Sequence, residues 1–222
     1  YFGEFQLGLD PFLLLRDAPQ YAGLPWTARA DYLIAFPLFE DGPGLHPLLQ
    51  NYWMTIHPPT LFLGFAATSV PFAYAIAGLA APEDRSWMRP ALRWSFFTIG
   101  ILGTGILMGG AWAYEALSFG GFWAWDPVEN SSLVPWLTTV AGGHLLLINR
   151  NRQKPLALFS TYYFILISFL LVLYSTFLTK SGILGDTSVH SFVDSGILPQ
   201  LLVYLLSFLA LGHLMLLRPG VW

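Results

Sequence analysis

The residues of this chain that could do chemistry are its five histidines and one dense aromatic run. Trp112, Tyr114, Phe119, Phe122, Trp123, Trp125 and Trp136 crowd a single connection between two apolar stretches. Gly120 and Gly121 permit a tight backbone path or the close approach of a flat ligand there. If Phe122 to Trp125 is extended, Trp123 and Trp125 point the same way and form a paired aromatic surface. Trp and Tyr also gather at any membrane–water boundary, which is the plainer reading of a single ring. A belt does not require two glycines, several rings and an acidic pair in so short a stretch. The run reads as a platform for a large planar apolar ligand.

The histidines suggest what that ligand is. His57 lies in Ile56-His57-Pro58-Pro59, where the prolines suit the first turn of a membrane span. His190 lies in a loop between two later spans, on the same side and at a similar depth as the aromatic run. Two neutral imidazoles facing one planar ligand are what axial ligation of haem iron requires. Singly, an interfacial histidine is more often a wetted polar residue. His46, in Leu45-His46-Pro47, shares the local pattern of His57 and shows how little one His-Pro pair is worth. His144 stands inside an apolar span, about 17 Å below Leu133 at 1.5 Å per residue, and intramembrane ionisable residues mark function by default. Gly142 and Gly143 beside it would admit a ring system or close helix packing. His213, at comparable depth in the last span, is the candidate within this chain for a second ligand to the same iron.

The elements that must position these groups follow from composition. The chain has 222 residues, 55% of them hydrophobic and only 10% charged, against about 25% charged in soluble domains. So few charges cannot cover that much apolar surface, and the aromatic content excludes disorder. A net charge of −3 and only ten Lys and Arg exclude nucleic acid as a partner. The absence of cysteine excludes disulfides, thiolate metal sites and a catalytic thiol. The fold class is therefore all-α, a polytopic transmembrane helix bundle with outer loops and amphipathic surface segments. Spans of about 20 residues are expected at Leu61–Ala81, Trp94–Ala116, Ser132–Ile148, Leu156–Leu178 and Ile197–Leu217. They divide the chain into an outer segment, 1–55, broken by many prolines and glycines, and a five-span region, 56–222. That region carries the aromatic loop 112–136 and an outer loop 179–199. With the first span starting outside, Arg85, Arg89, Arg93, Arg150, Arg152, Lys154 and Arg218 lie inside, and only Arg16, Arg29 and Lys180 lie outside. Segment 1–55, the Trp123 run and the His190 loop then share the outer face. An external start at Tyr1 without a translocation signal implies further spans before it, in a longer protein. Asp126-Pro127-Val128-Glu129 reads as a helix start, with Asp at the N-cap, Pro at N1 and Glu at N3.

The run FGGFWAWDPVENSSLVPWL resembles the tryptophan-rich WWD signature of haem-handling proteins in cytochrome c maturation. WDPVEN followed by SSLVPWL is most similar to the CcmF-type cytochrome c haem lyases of that superfamily. LLQNYWMTIHPPTLFLGF and KSGILGDTSVHSF resemble the flanks of the same family, so the likeness covers about Leu48 to Phe192. Phe119 departs from the pattern, which usually has Trp there; the aromatic face is kept and an indole N–H is lost. The resemblance implies a haem lyase in the bacterial cytoplasmic (inner) membrane, with its haem site facing the periplasm. It implies His57 and His190 as iron ligands of the haem being delivered, and Gly120, Gly121, Phe122, Trp123, Trp125, Asp126 and Trp136 as its platform. His144 corresponds to the membrane histidine of a second, permanent haem b, whose other ligand comes from a later span, which counts against His213. No catalytic residue is implied beyond those that position haem. The implied partners are an apocytochrome c CxxCH segment, a haem chaperone, thiol-reducing and apocytochrome-handling subunits of the maturation complex, and membrane lipid. The thiols that add to the haem vinyl groups would be the substrate's, in keeping with a cysteine-free chain. Two other functions use the same features: a haem exporter or carrier without ligation, and a proton-coupled transporter in which His144 and Glu115 form a relay.

Overall fold

In the computed structural model, residues 24–25, 29–37, 44–45, 47–116, 121–152, 154–188, 190 and 196–218 are described. His46, Phe119 and Gly120 lie outside them. The chain divides into two compact units, Tyr1–Tyr52 and Trp53–Trp222. In the first, the described residues form a one-turn helix α1 (Tyr32–Ala35) and a 3-10 turn at Pro47–Leu49. Arg29 clasps Asp31 through two hydrogen bonds of 2.9 and 3.0 Å. That guanidinium holds the Asp31 carboxyl below the usual carboxylate range.

The described residues that follow form the helices α2 (Tyr52–Ala67), α3 (Ser69–Ala80), α4 (Met88–Ala116), α5 (Pro127–Asn149), α6 (Leu158–Lys180) and α7 (Leu198–Leu216). No strand occurs among the described residues. With α2 and α3 taken together, five helical segments among the described residues are long and apolar enough to cross a membrane, as the composition demanded. Because neighbours alternate in direction, the α3–α4 and α5–α6 connections and the end of α7 share one end of the bundle. That basic end carries Arg85, Arg89, Arg93, Arg150, Arg152, Lys154 and Arg218. The start of α2, residues 121–126 ahead of α5, residues 181–188 after α6 and the start of α7 share the other, aromatic end.

Span limits differ from expectation in two instructive places. The first span begins at Tyr52, not Leu61, so Pro58 and Pro59 stand inside α2 and not in its first turn. They give up amide bonds to the carbonyls of residues 54 and 55, a loss that helix interiors near a membrane boundary tolerate. The actual interruption is at Thr68, where Pro71 cannot donate to Ala67 and the chain pauses between α2 and α3. Thr68 Oγ1 donates to the Phe65 carbonyl at 2.6 Å across that break. At α5 the helix begins at Pro127, ahead of the expected Ser132, because a complete capping box starts it there. His144 is consequently five residues from the end at Asn149, about 26 Å from the aromatic end, deeper than a count from Leu133 gave.

The packed core fills the basic half. Phe72, Ala75, Leu79, Trp87, Met88, Ala91, Leu146, Ile165, Leu166, Phe169 and Leu216 are buried together, and Trp87 stacks on Tyr162 at 4.6 Å. The buried hydroxyls of Thr98 and Thr139 are satisfied on their own helices, by the Trp94 and Pro135 carbonyls. Across the α5–α6 seam three polar pairs recur down the membrane: Ser131 with Ser175 (2.8 Å), Thr138 with Ser168 (2.9 Å), and Asn149 with Thr161 (3.0 Å). Asn149 also pairs in both directions with the Leu156 backbone, closing the α5–α6 turn. Most of α7 faces outward.

Candidate functional site

The aromatic end is built by small residues on α4. One face of α2, carrying Trp53, His57, Leu61 and Gly64, repeats at helical spacing and lies along α4. A Cβ on Gly64 would stand 2.6 Å from Leu102 Cα, and one on Gly105 2.8 Å from Leu61 Cα, so the two backbones touch. Gly105-x-x-x-Gly109 is the small-residue spacing that lets membrane helices approach this closely. It also seats His57. A Cβ on Gly109 would fall 2.8 Å from the imidazole Cε1, and the ring uses that gap to reach the Gly105 carbonyl, 2.9 Å from Nδ1. Trp112 closes the seat edge-on at 5.9 Å. Above it, Trp53 Nε1 donates to Glu115 Oε2 at 2.7 Å.

Gly110 does for the aromatic loop what Gly109 does for His57. A Cβ there would stand 2.6 Å from the Phe122 ring, so Phe122 docks the loop on α4. Gly121, at φ +118°, makes the bend that precedes it. Trp123 and Trp125 do not form the flat pair expected of an extended strand. Trp125 has φ +59°, and the two indoles meet edge to face, 6.3 Å apart at 88°. The reason is the helix that follows: the chain must turn sharply into the Asp126 cap, and Asn130 Nδ2 holds the turn by donating to the Trp125 carbonyl at 3.0 Å. Such a backbone costs an L-residue about 1–2 kcal/mol, which the capping box offsets. Trp125 is 72% exposed. The indole N–H groups of Trp112 and Trp123 are buried without a hydrogen-bond partner. Trp136 lies two turns into α5, donating to the Ile99 carbonyl at 2.9 Å over Gly103, so it ties α5 to α4 beneath the loop.

Asp126 caps α5 as its sequence context indicates, accepting from Val128 N at 2.7 Å and Glu129 N at 3.4 Å. Glu129 Oε2 reciprocates by accepting from the Asp126 and Ala124 amides. The cap does more than the sequence disclosed, for Asp126 Oδ1 also accepts from Ser188 Oγ at 2.8 Å and lies 3.4 Å from His190 Nδ1. Two segments more than sixty residues apart thus meet on one carboxylate. His57, near the start of α2, and His190, beyond the end of α6, both lie at this end.

A carbonyl or carboxylate can only accept, so a ring nitrogen facing one carries the proton. That holds for His57 on Gly105, His190 on Asp126, His144 on the Val140 carbonyl (2.8 Å) and His213 on the Leu209 carbonyl (2.9 Å). For His57, His144 and His213 this leaves Nε2 as the nitrogen turned away from that carbonyl, the atom a metal would use. His144 and His213 both project from exposed helix faces. α5 and α7 each pack on α6, which stands between them, so nothing brings these two histidines together. Glu115 ends α4 at the aromatic end while His144 lies near the basic end, which parts the suggested relay pair. No cluster of three or more His, Asp or Glu suited to a metal ion occurs among the described residues. Gly105, Gly109, Gly110 and Ser188 were the site residues not anticipated; the small-residue spacing on α4 was the available signal for the first three.

Comparison with known proteins decides the family. The profile described as Cytochrome C assembly protein matches residues 24–184. The chain belongs to the cytochrome c assembly protein family. It is 41% identical over 212 residues to the cytochrome c-type biogenesis protein CcmF of Pseudomonas aeruginosa, a match covering 94% of this chain and 29% of the relative. With CcmF of Escherichia coli it shares 39% over 210 residues, 94% of this chain and 30% of that protein. The cytochrome c-type biogenesis protein CycK of Bradyrhizobium diazoefficiens is 40% identical over 181 residues, 75% of this chain and 26% of the relative. The chain thus spans about three tenths of the length of these relatives. No solved structure matches it. As a cytochrome c assembly family member with five apolar helices, it is a multi-pass membrane protein.

Proposed function

We propose that this region binds haem at its aromatic end, between His57 and His190, and presents it for covalent attachment to an apocytochrome c CxxCH segment. The observation that carries the reading is that two histidines from distant segments share this end, each oriented by an Nδ1 contact, His57 on the Gly105 carbonyl and His190 on the Asp126 carboxylate. Supporting it are the exposed Trp125 ring, the Trp123 ring set edge-on to it, and two buried indole donors without partners, suited to haem carboxylates. Haem is here the substrate, handed over by a haem chaperone. In the attachment step each substrate thiol adds across a vinyl double bond: a C–S bond forms, the thiol hydrogen goes to the neighbouring carbon, and no electrons are gained or lost. The protein contributes position, holding vinyl and thiol in register, and no catalytic residue acts on the reacting atoms. The positive-inside bias supports a periplasmic aromatic end in a bacterial inner membrane. The aromatic end would then face the apocytochrome and the thiol-reducing and apocytochrome-handling subunits.

His144 would hold a resident haem b, since the Val140 carbonyl orients its ring and its face is open. Such a haem, when bound, would supply one-electron chemistry for keeping delivered iron reduced. The second ligand would come from outside the described helices, because His213 is set apart by α6.

The test is spectroscopic. The full-length protein purified from haem-replete cells is expected to show a Soret band and low-spin bis-imidazole spectra, altered by His57→Ala and by His190→Ala. Unchanged haem content and spectra in both variants would remove the ligand assignment. Bound haem with no covalent cytochrome c, in a strain complete for the partners, would replace attachment by export.

A further inference from the structure

We propose that Asp126 is a positioning residue for His190: its carboxylate, fixed as the N-cap of α5, holds the Nδ1 side of the imidazole and aims Nε2 at haem iron. The inference rests on the reading of His190 as an iron ligand. Asp126 Oδ1 receives two short hydrogen bonds, from Val128 N (2.7 Å) and Ser188 Oγ (2.8 Å), and two long ones, from Glu129 N and His190 Nδ1, each 3.4 Å. Its side chain is only 10% exposed, whereas that of His190 is 41% exposed. The carboxylate is therefore the fixed member and the imidazole the adjustable one. Capping accounts for the bonds from Val128 and Glu129 and for nothing else on that oxygen. Ser188 supplies the link to the loop: it is buried, its Oγ donates to Asp126, and the same oxygen accepts the His190 backbone N–H at 3.1 Å. Backbone and ring of His190 thus both lead to one carboxylate.

The chemistry differs from that at His57, whose Nδ1 donates to a neutral backbone carbonyl. A carboxylate partner makes the imidazole a stronger donor to a metal and fixes its tautomer. A stronger donor favours ferric over ferrous iron, so removing the carboxylate raises the reduction potential. Ser and Asn both cap helices well; Ser is too short to reach His190 and Asn offers no charge. Capping and positioning can therefore be separated.

The experiment uses the full-length protein purified with haem and compares Asp126→Ser, Asp126→Asn, Ser188→Ala and Glu129→Gln with the parent. The expected result is an upward shift in the potential of the haem held between His57 and His190, and not of one at His144, in both Asp126 variants and a smaller one in Ser188→Ala, with unchanged yield and helix content. Glu129→Gln, which touches the cap but not His190, should leave the potential in place. Parental potential and spectra in Asp126→Ser, alongside altered spectra in His190→Ala, would overturn the positioning role and leave the ligand assignment standing. Parental spectra in His190→Ala itself would remove the ligand assignment and the positioning role together.

Discussion

His57 and His190 are held at the same end of the bundle by opposite means. His57 belongs to a helix, and its seat is cut into a second helix by the absence of side chains at Gly105 and Gly109. His190 belongs to a loop, and its place depends on side chains, Asp126 and Ser188, reaching across to it. One position is set by close packing, which gives only at a cost; the other is set by hydrogen bonds that can lengthen. A site that must grip a large planar substrate and later release it has use for one rigid and one adjustable wall.

The sharpest way to break the contrast is to fill the rigid seat. Gly109→Leu drives carbon into the His57 ring, where even a Cβ would stand at 2.8 Å. Overpacking of this kind costs about 1–3 kcal/mol of stability, and the expected readout is loss of the delivered haem's share of the Soret band, with the share of a haem at His144 retained. Gly100→Ala is the control, since a Cβ there meets nothing within 4 Å; it should leave haem content as it was. A second comparison uses holes. His57→Ala leaves a space walled by Gly105, Gly109 and Trp112, which should take up added imidazole and recover the low-spin spectrum. His190→Ala opens on a 41% exposed surface and should recover far less. Equal rescue would mean that the two walls do not differ in kind.

What the sequence disclosed follows the same division. The five spans were legible because burial of apolar length in a bilayer needs no partner to be recognised, and the α5 start was legible because Asp126, Pro127 and Glu129 are a local signal. The beginning of α2 was not, since Pro58-Pro59 looks like a first turn and only contact with α4 shows the helix continuing up to Tyr52. The flat Trp123–Trp125 pair failed because the local alternation rule ignores the turn that the next element imposes. Asp126 was legible as a cap and not as a partner of His190, because that meeting is set by the return of a loop more than sixty residues later. His57, His190 and the aromatic run could be named from their residue types; which nitrogen each ring presents could come only from the folded chain.

Smaller changes sharpen the distinction. Trp53→Phe removes the 2.7 Å hydrogen bond to Glu115 one turn above His57. A single hydrogen bond to a charged group contributes about 1.5–3 kcal/mol at most, and less at this exposed position. The expected outcome is a lowered thermal midpoint with haem spectra unchanged, because the glycine seat, not this bond, places the ring. A displaced Soret maximum would show instead that the His57 wall is also held by side chains.

The smallest expected effect lies at the seam beneath the His190 wall. Ser131→Ala removes the 2.8 Å contact with Ser175, close below the Asp126 cap; Ser175 stands on α6, which leads into the His190 loop. Interhelical hydrogen bonds in membranes are worth about 0.6 kcal/mol, so denaturation in mild detergent should move by about that amount. Thr138–Ser168 and Asn149–Thr161 remain to keep α5 and α6 in register, so the haem potential should stay where it is. If this change moved the potential as far as Asp126→Ser does, the helix seam would be setting the His190 wall. The adjustable wall would then be packed like its neighbour, and the contrast between the two histidines would collapse.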